Sequence, residues 1–242
     1  MANSRFPVIE IFGPTIQGEG MVIGQKTMFV RTAGCDYQCS WCDSAFTWNG
    51  TGKADIRMLT AEEIEAQLRD IGGDTYSHVT ISGGNPALLR QLNELIELLH
   101  SLGISVALET QGSIWQDWFL QIDELTLSPK PPSSGMTTDW DQLDLIVVNL
   151  AGQKRNFSLK VVVFDETDLQ YAADVHERYK QVPFFLQAGN DDVHEQDSAL
   201  LLNRLIERYK WLVDTVIASS ELTNVRVLPQ LHAWLWGNKR GK

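Results

Sequence analysis

Short apolar segments alternate with helical patterns along most of this chain, and this alternation restricts the possible folds more than any other feature. Six segments have the apolar, β-branched character of buried strands. They are Thr27–Thr32, His78–Ser82, Ile104–Glu109, Leu125–Leu127, Phe157–Phe164 and Pro183–Gln187. Strands that alternate with helices form parallel sheets with right-handed crossovers. Six such units are fewer than the eight of a closed barrel. The pattern therefore predicts an α/β fold, a partial, open (β/α)6 TIM-like barrel.

No repeat and no change in composition marks a domain boundary, so the sequence predicts a single domain over residues 1–242. A chain of this length with 43% hydrophobic residues can bury one large core. Three parts of the domain differ in character from the repeated units. They are an N-terminal segment 8–28, a cysteine loop 33–46 and a C-terminal tail 225–242.

The charge of the chain limits its partners. A formal net charge of −11 disfavours nucleic acid, which usually binds to a basic face, and suits a small-molecule ligand. No apolar run reaches the roughly 20 residues of a membrane helix, and the first residues lack a secretory signal. We therefore expect a cytoplasmic protein that binds neither nucleic acid nor membranes.

Five groups of residues with unusual composition occupy equivalent positions, because each of them directly follows a predicted strand. The groups are the cysteine loop 33–46, Gly83–Asn85, Glu109–Gly112, Ser128–Lys130 and Gln187–Asp191. In a parallel barrel the loops after the strands lie on one rim, where active sites are built. The sequence therefore predicts that these five loops surround one site.

The three cysteines of the chain, Cys35, Cys39 and Cys42, form a single C-x3-C-x2-C run. Clustered cysteines in an odd number indicate a metal centre in a reducing compartment. Three ligands are one fewer than a structural zinc ion or an ordinary iron–sulfur cluster takes. Either a distant histidine completes the set or one position is open to an external ligand. The five histidines show no paired His-x3–5-His spacing.

The C-x3-C-x2-C run with Trp41 before its last cysteine resembles the radical S-adenosylmethionine (SAM) superfamily. The turn Gly83-Gly84-Asn85-Pro86 is similar to the Gly-Gly-Glu-Pro turn of that superfamily, with Asn85 in place of the usual Glu. The resemblance implies a [4Fe–4S] cluster on the three cysteines and SAM on the fourth iron. It also implies a partial barrel of the radical SAM type.

Longer motifs resemble the 7-carboxy-7-deazaguanine synthase family within that superfamily. They are Ile11–Gly20, Phe29–Cys35, Cys42–Ser44, Glu109–Gly112, Ser128–Lys130 and Gln230–His232. The resemblance implies a Mg²⁺-dependent ring contraction of 6-carboxy-5,6,7,8-tetrahydropterin, with release of ammonia, on the route to queuosine and other 7-deazapurines. It also implies a homodimer and an external electron donor such as flavodoxin or ferredoxin.

The same resemblance implies roles for individual residues. Cluster ligands would be Cys35, Cys39 and Cys42. Contacts to SAM would come from Trp41, Cys42, Asp43, Gly84, Glu109, Ser128, Pro129, Lys130, Gln187, Ala188, Gly189 and Asn190. The pterin would be bound by Ile16, Gln17, Gly18, Arg31 and Ser82, and Mg²⁺ by Ser44. Some members of the family bring the chain end near the substrate, but the different tail 237–242 gives no basis for that contact here.

Two alternatives fit parts of the pattern. A glycyl-radical-enzyme activase would share the cluster, but it would need a docking surface for a protein partner or further cluster cysteines. A zinc-binding module would need a histidine as the fourth ligand. A brown protein after anaerobic purification would indicate iron–sulfur ligation, and a colourless zinc protein would exclude it.

Overall fold

The computed structural model describes residues 4–242; residues 1–3, which the single-domain prediction includes, lie outside the described residues. The strands in the described part are β1 (Phe6–Ile16), β2 (Lys26–Thr32), β3 (Arg57–Leu59), β4 (His78–Gly83), β5 (Ser105–Thr110), β6 (Glu124–Leu127), β7 (Phe157–Val163), β8 (Phe184–Ala188) and β9 (Val225–Leu228). The helices there are α1 (Ala61–Gly72), α2 (Asn93–Ser101), α3 (Trp140–Gly152), α4 (Glu166–Arg178), α5 (Ser198–Ala218) and α6 (Leu231–Trp236).

All nine strands form one open sheet in the order β3-β1-β2-β4-β5-β6-β7-β8-β9. Every neighbouring pair from β2 to β9 is parallel, whereas β1 pairs antiparallel with both β2 and β3. The open sheet confirms the prediction of an open rather than a closed barrel. It contains the six predicted strands and adds β1, β3 and β9.

Strand β1 differs from what its sequence predicts, since Gly13-Pro14 breaks the apolar run and favours a turn. Ile11 pairs with Val30 and Phe12 with Phe29, and the register shifts between Phe12 and Thr15. The shift falls at Gly13-Pro14, where proline cannot donate a ladder hydrogen bond. The dipeptide therefore interrupts the regular pairing without ending the strand. As a result, the N-terminal segment lies beside β2, which leads into the cysteine loop.

The core lies between the sheet and the helices, as the alternation of strands and helices predicts. Helix α1 begins with a capping box between Thr60 and Glu63, and its Ile64 and Leu68 are fully buried. The central strand β7 is buried along its whole length, including Lys160. Strands covered on both faces read as continuous apolar runs, so a lysine within one indicates a special local role.

The sequence pattern predicts a helix from about Ala87 to Leu102, and the first half of this prediction is wrong. Residues Pro86–Leu88 form a short 3-10 turn, and the α-helix begins only at Asn93. Side chains from the next loop explain the difference: Gln116 Nε2 donates to the carbonyl of Ala87 at 2.6 Å, and Trp118 Nε1 donates to that of Leu89 at 3.1 Å. The Ala87 carbonyl thus binds a side chain, and that of Leu89 binds both a side chain and the amide of Leu92, three residues on, at 3.3 Å.

No helix within residues 4–242 combines the length and the apolar character that a membrane span requires.

Candidate active site

A cavity of about 220 Å³ opens at the carboxyl ends of the parallel strands. Its wall contains residues from the ends of β2, β4, β5 and β7 and from the loops that follow them. The N-terminal segment and the C-terminal tail cover it from the side. The predicted convergence of the strand-end loops on one site therefore agrees with the position of this cavity.

Most of the residues singled out in the sequence line this cavity. They are Ile16, Gln17, Gly18, Arg31, Cys35, Cys39, Trp41, Cys42, Asp43, Ser44, Ser82, Gly84, Glu109, Lys130 and Asn190. The cysteine loop, the expected pterin contacts and most of the expected SAM contacts thus share one space.

Five expected SAM contacts do not line the cavity, and two of them, Ser128 and Gly189, contact residues that do. Both the carbonyl and the hydroxyl of Ser128 accept hydrogen bonds from Lys130 Nζ, at 2.9 and 3.1 Å. Gln187 Nε2 donates to the carbonyl of Pro229 at 2.7 Å. Gly189 packs against Phe164 so closely that a Cβ atom would lie 2.4 Å from the ring. Pro129 and Ala188 are buried beside them.

The cysteine loop is fixed to the loop after β6. Ser40 N donates to the carbonyl of Ser134 at 3.0 Å, and Trp41 Nε1 donates to Ser133 Oγ at 2.9 Å. Ser133 is held in turn by the fully buried carboxylate of Asp168, which accepts from its amide and its hydroxyl. Trp41 also contacts Phe164, with ring centroids 4.8 Å apart. These contacts hold the loop in place independently of a metal.

Burial raises the pKa of all three thiols, and that of Cys39 to about 11. Neutral thiols are therefore favoured at these buried positions, and a nearby cation is needed to stabilise the charged thiolates. Iron would supply that charge, and its binding would release the thiol protons. All three thiols are free and no disulfide removes them, so the donor set fits an iron–sulfur cluster with one iron left for an external ligand.

The spacing of the sulfur atoms separates this possibility from zinc. Within residues 4–242, one group of three His, Cys, Asp or Glu residues has ligand atoms that all lie within 4.8 Å of one another. That group is Glu19, Asp43 and His232. At least two of the three cysteine sulfurs therefore lie more than 4.8 Å apart. Three thiolates on one zinc ion, each about 2.3 Å from it, lie roughly 3.8 Å apart. The observed spacing therefore favours a larger group.

Gly84 brings a second strand-end loop against the cysteine loop. A Cβ atom at this position would lie 2.0 Å from the carbonyl oxygen of Gly34 and 2.9 Å from Cys35 Cβ. Gly84 N donates to the carbonyl of Thr32 at 3.2 Å, and Asn85 N donates to that of Gly34 at 2.8 Å. Only a residue without a side chain allows this approach. The backbone beside Gly84 is therefore next to the cysteine that begins the run.

Arg31, at the end of β2, has acidic and hydroxyl partners on both sides. Its Nε lies 3.2 Å from Glu10 Oε2, and its Nη1 donates to Ser44 Oγ at 2.8 Å. Its guanidinium also lies 5.5 Å from the ring centroids of Phe12 and Phe46. A half-buried guanidinium held in this way presents its remaining N–H groups to the cavity, where they suit a carboxylate.

A buried charged triad that the sequence interpretation missed lies at the opposite wall. Lys160 Nζ lies 2.5 Å from Glu19 Oε2 and 2.7 Å from Glu109 Oε1. Burial alone would raise the pKa of Glu19, but Lys160, His232 and Gln230 outweigh it and lower that pKa to about 2. Burial opposes the charge of Lys160, yet the two glutamates raise its pKa. The single lysine within the apolar run of β7 is the sequence signal that indicates this triad.

The C-terminal tail closes one side of the cavity. Gln230 Nε2 donates to Glu19 Oε1 at 2.8 Å, and Leu231 N donates to the carbonyl of Gly18 at 3.1 Å. Arg240 then reaches β1, where its Nε donates to Glu10 Oε1 at 2.7 Å. Lys242 lines the cavity. The tail thus contributes to the site, a feature that its sequence gave no basis to expect.

Comparison with known proteins identifies relatives over nearly the whole chain. Residues 29–128 match the model of the radical SAM superfamily. A 7-carboxy-7-deazaguanine synthase of Bacillus subtilis (strain 168) is 65% identical over 237 residues, which cover 97% of this chain and 98% of that protein. A protein of the same name from Bacillus cereus is 60% identical over 238 residues, or 98% of this chain and 99% of that protein.

Solved structures share the fold. The crystal structure of QueE from Escherichia coli superposes with a TM-score of 0.67 at 24% identity, covering 94% of this chain and 95% of that one. Streptococcus suis SuiB bound to S-adenosylmethionine superposes with a TM-score of 0.56 at 15% identity, covering 83% of this chain and 49% of that one.

Proposed function

The chain belongs to the 7-carboxy-7-deazaguanine synthase family of radical SAM enzymes, and we propose that it converts 6-carboxy-5,6,7,8-tetrahydropterin to 7-carboxy-7-deazaguanine and ammonia. The observation that supports this reaction most directly is the shared cavity, where the cysteine run lies beside Arg31 and Ser44. Family membership decides against the glycyl-radical-enzyme activase and the zinc-binding module. Product and ammonia together contain all the atoms of the substrate, so no net oxidant is consumed.

Cys35, Cys39 and Cys42 would hold the [4Fe–4S] cluster, and the adjacent backbone of Gly84 would meet SAM. Trp41, Asp43, Lys130 and Asn190 line the same part of the cavity and are the further SAM contacts that we propose. When bound, the cluster and SAM supply a radical able to remove a hydrogen atom from the substrate. The chain itself positions the reactants and excludes side reactions.

The substrate carboxylate would bind Arg31, whose guanidinium is already ion-paired with Glu10, with Nε 3.2 Å from Oε2. The guanidinium is therefore oriented before substrate arrives, and less conformational freedom is lost on binding. Ile16, Gln17, Gly18 and Ser82 would hold the pterin ring from the N-terminal segment and the end of β4. The carboxylate of Glu19, kept ionised by Lys160, provides an acceptor for the amino groups of the ring.

Ser44 would ligate Mg²⁺ through its hydroxyl, with substrate oxygens and waters completing an oxygen shell. Arg31 donates to that hydroxyl through Nη1, so the substrate and metal sites share one hydrogen bond.

We propose one domain over residues 1–242, a homodimer, and an external flavodoxin or ferredoxin as electron donor. Three free, clustered thiols require a reducing compartment, and we therefore place the enzyme in the cytoplasm.

The test is anaerobic turnover of the carboxytetrahydropterin with SAM, reductant and Mg²⁺, followed by mass spectrometry. We expect a product lighter than the substrate by one ammonia. Arg31→Gln is expected to raise KM steeply, whereas Arg90→Gln, an equivalent change on the surface, leaves KM unchanged. A reconstituted protein that consumes no carboxytetrahydropterin would refute the proposed substrate.

A further inference from the structure

Three strand-end loops meet at the carboxylate of Asp36, the residue directly after the first cysteine. It accepts hydrogen bonds from Asn85 Nδ2 at 2.8 Å, from Gln111 Nε2 at 2.6 Å and from Ser113 Oγ at 2.6 Å. These donors come from the loops after β4 and β5. One carboxylate therefore ties the cysteine loop to both neighbouring loops.

The amide of Asn85 is oriented by its other contacts. Its Oδ1 accepts from Thr110 Oγ1 at 2.7 Å and from Ala87 N at 3.2 Å, which leaves Nδ2 for Asp36. Asn85 is only 1% exposed, so its amide cannot turn to solvent. A glutamate at this position would place a second carboxylate against Asp36. Asn85 instead donates a hydrogen bond to the Asp36 carboxylate, without a second negative charge.

Gln111 is the member of this network that reaches the metal ligands. Its Nε2 lies 2.6 Å from Asp36 Oδ1 and 3.7 Å from Cys35 Sγ. An amide nitrogen carries two N–H groups, so one can donate to the carboxylate and the other to the sulfur. Gln111 itself is buried. The geometry thus places the Gln111 donor on Cys35 Sγ, which also accepts from the backbone amide of Tyr37 at 3.4 Å.

We propose that Gln111 donates an N–H···S hydrogen bond to the Cys35 ligand and raises the reduction potential of the cluster, with Asp36 as the positioning residue. Hydrogen bonds to ligand sulfurs stabilise the reduced, more negative cluster and are one of the factors that set its potential. The inference rests on the cluster assigned under the proposed function. It does not rest on the identity of the substrate.

The test is a redox titration of the reconstituted protein, followed by electron paramagnetic resonance of the reduced cluster. Gln111→Met keeps the length of the side chain and removes the donor. We expect the ratio of reduced to oxidised cluster at a fixed potential to fall about tenfold, which is about 59 mV for a one-electron couple. Gln91→Met, the same change on an exposed residue, is expected to leave the ratio unchanged.

A second measurement needs no loss of the glutamine. With ¹⁵N in the side-chain amides of glutamine, we expect a hyperfine coupling between one amide nitrogen and the reduced cluster in the parent protein. Asp36→Asn is expected to weaken this coupling because the amide loses its charged anchor. A merely structural role for Asp36 would leave the coupling unchanged.

The outcomes separate this inference from the proposed function. A full cluster in Gln111→Met with an unchanged potential would overturn the inference and leave the proposed reaction intact. Absence of the nitrogen coupling in the parent protein would overturn it even if Gln111→Met failed to assemble a cluster. A parent protein that binds no [4Fe–4S] cluster would overturn both.

Discussion

Arg31 Nη1 donates a hydrogen bond to Ser44 Oγ at 2.8 Å, so a residue of β2 just before the cysteine loop contacts a residue near the end of that loop. The loop is therefore closed on itself at its two ends. In the proposed reaction these residues bind the substrate carboxylate and Mg²⁺, and their contact couples the two sites. A substrate carboxylate that binds Arg31 would therefore also change the hydrogen bonding of the Ser44 hydroxyl.

Substitution of Ser44 tests this coupling. Ser44→Ala removes the proposed metal ligand, and we expect the Mg²⁺ concentration for half-maximal activity to rise roughly tenfold or more. Ser44→Thr keeps the hydroxyl and is expected to retain the parent response. Steady-state rates across a Mg²⁺ titration measure both. An identical Mg²⁺ response in Ser44→Ala would contradict the assignment of this hydroxyl to the metal.

Removal of the buried cation at Lys160 is expected to destabilise the protein strongly. Lys160→Met leaves Glu19 and Glu109 without their shared partner, and breaking a buried ion pair from one side costs about 3–5 kcal/mol. Denaturant unfolding measures the loss. Lys180→Met provides the matched control, because Lys180 is exposed and pairs only with Glu177. We expect the control to change stability by less than about 0.5 kcal/mol.

The low pKa of Glu19 predicts an acid-sensitive contribution to stability. Its folded-state pKa of about 2 lies below the ordinary value of 4.5, so the ionised form is favoured in the folded state. The contribution is present above pH 4.5 and is lost as the pH falls towards 2.

Glu19→Gln tests the pH dependence through unfolding measured at several pH values. The stability of the variant is expected to fall less than that of the parent protein between pH 4.5 and 2. Glu177→Gln, on the surface, is expected to follow the parent curve. Parallel curves for Glu19→Gln and the parent would contradict the assigned ionisation.

The elements that the sequence predicted correctly depend on local patterns. Strands β2 and β4–β8 read directly from apolar runs, and the glycine-rich loops follow them because strand ends require such turns. Strand β9 was missed because its four residues, Val225–Leu228, are only partly buried and carry a weak pattern. The helix containing α2 was predicted too long because side chains from the loop after β5 bind the carbonyl groups of Ala87 and Leu89, and α2 begins only at Asn93.

The interactions that sequence did not predict join residues far apart in the chain. Lys160 and Glu19 are separated by 141 positions, and Arg240 and Glu10 by 230. A lysine in an apolar strand signals a buried partner but does not identify it. The network around Asp36 likewise depends on the register of β2, β4 and β5, which only the folded sheet fixes.

A methyl group at Gly84 is expected to displace the cysteine loop and abolish cluster assembly. In Gly84→Ala the new Cβ would lie 2.0 Å from the carbonyl oxygen of Gly34, and neither backbone can move without disturbing Cys35. Overpacking of this kind costs about 1–3 kcal/mol. We expect little iron after anaerobic reconstitution and a lower Tm. Gly152→Ala, whose Cβ meets no atom within 4 Å, is expected to keep full iron content and stability. Full iron content in Gly84→Ala would show that the two loops are not in the close contact described.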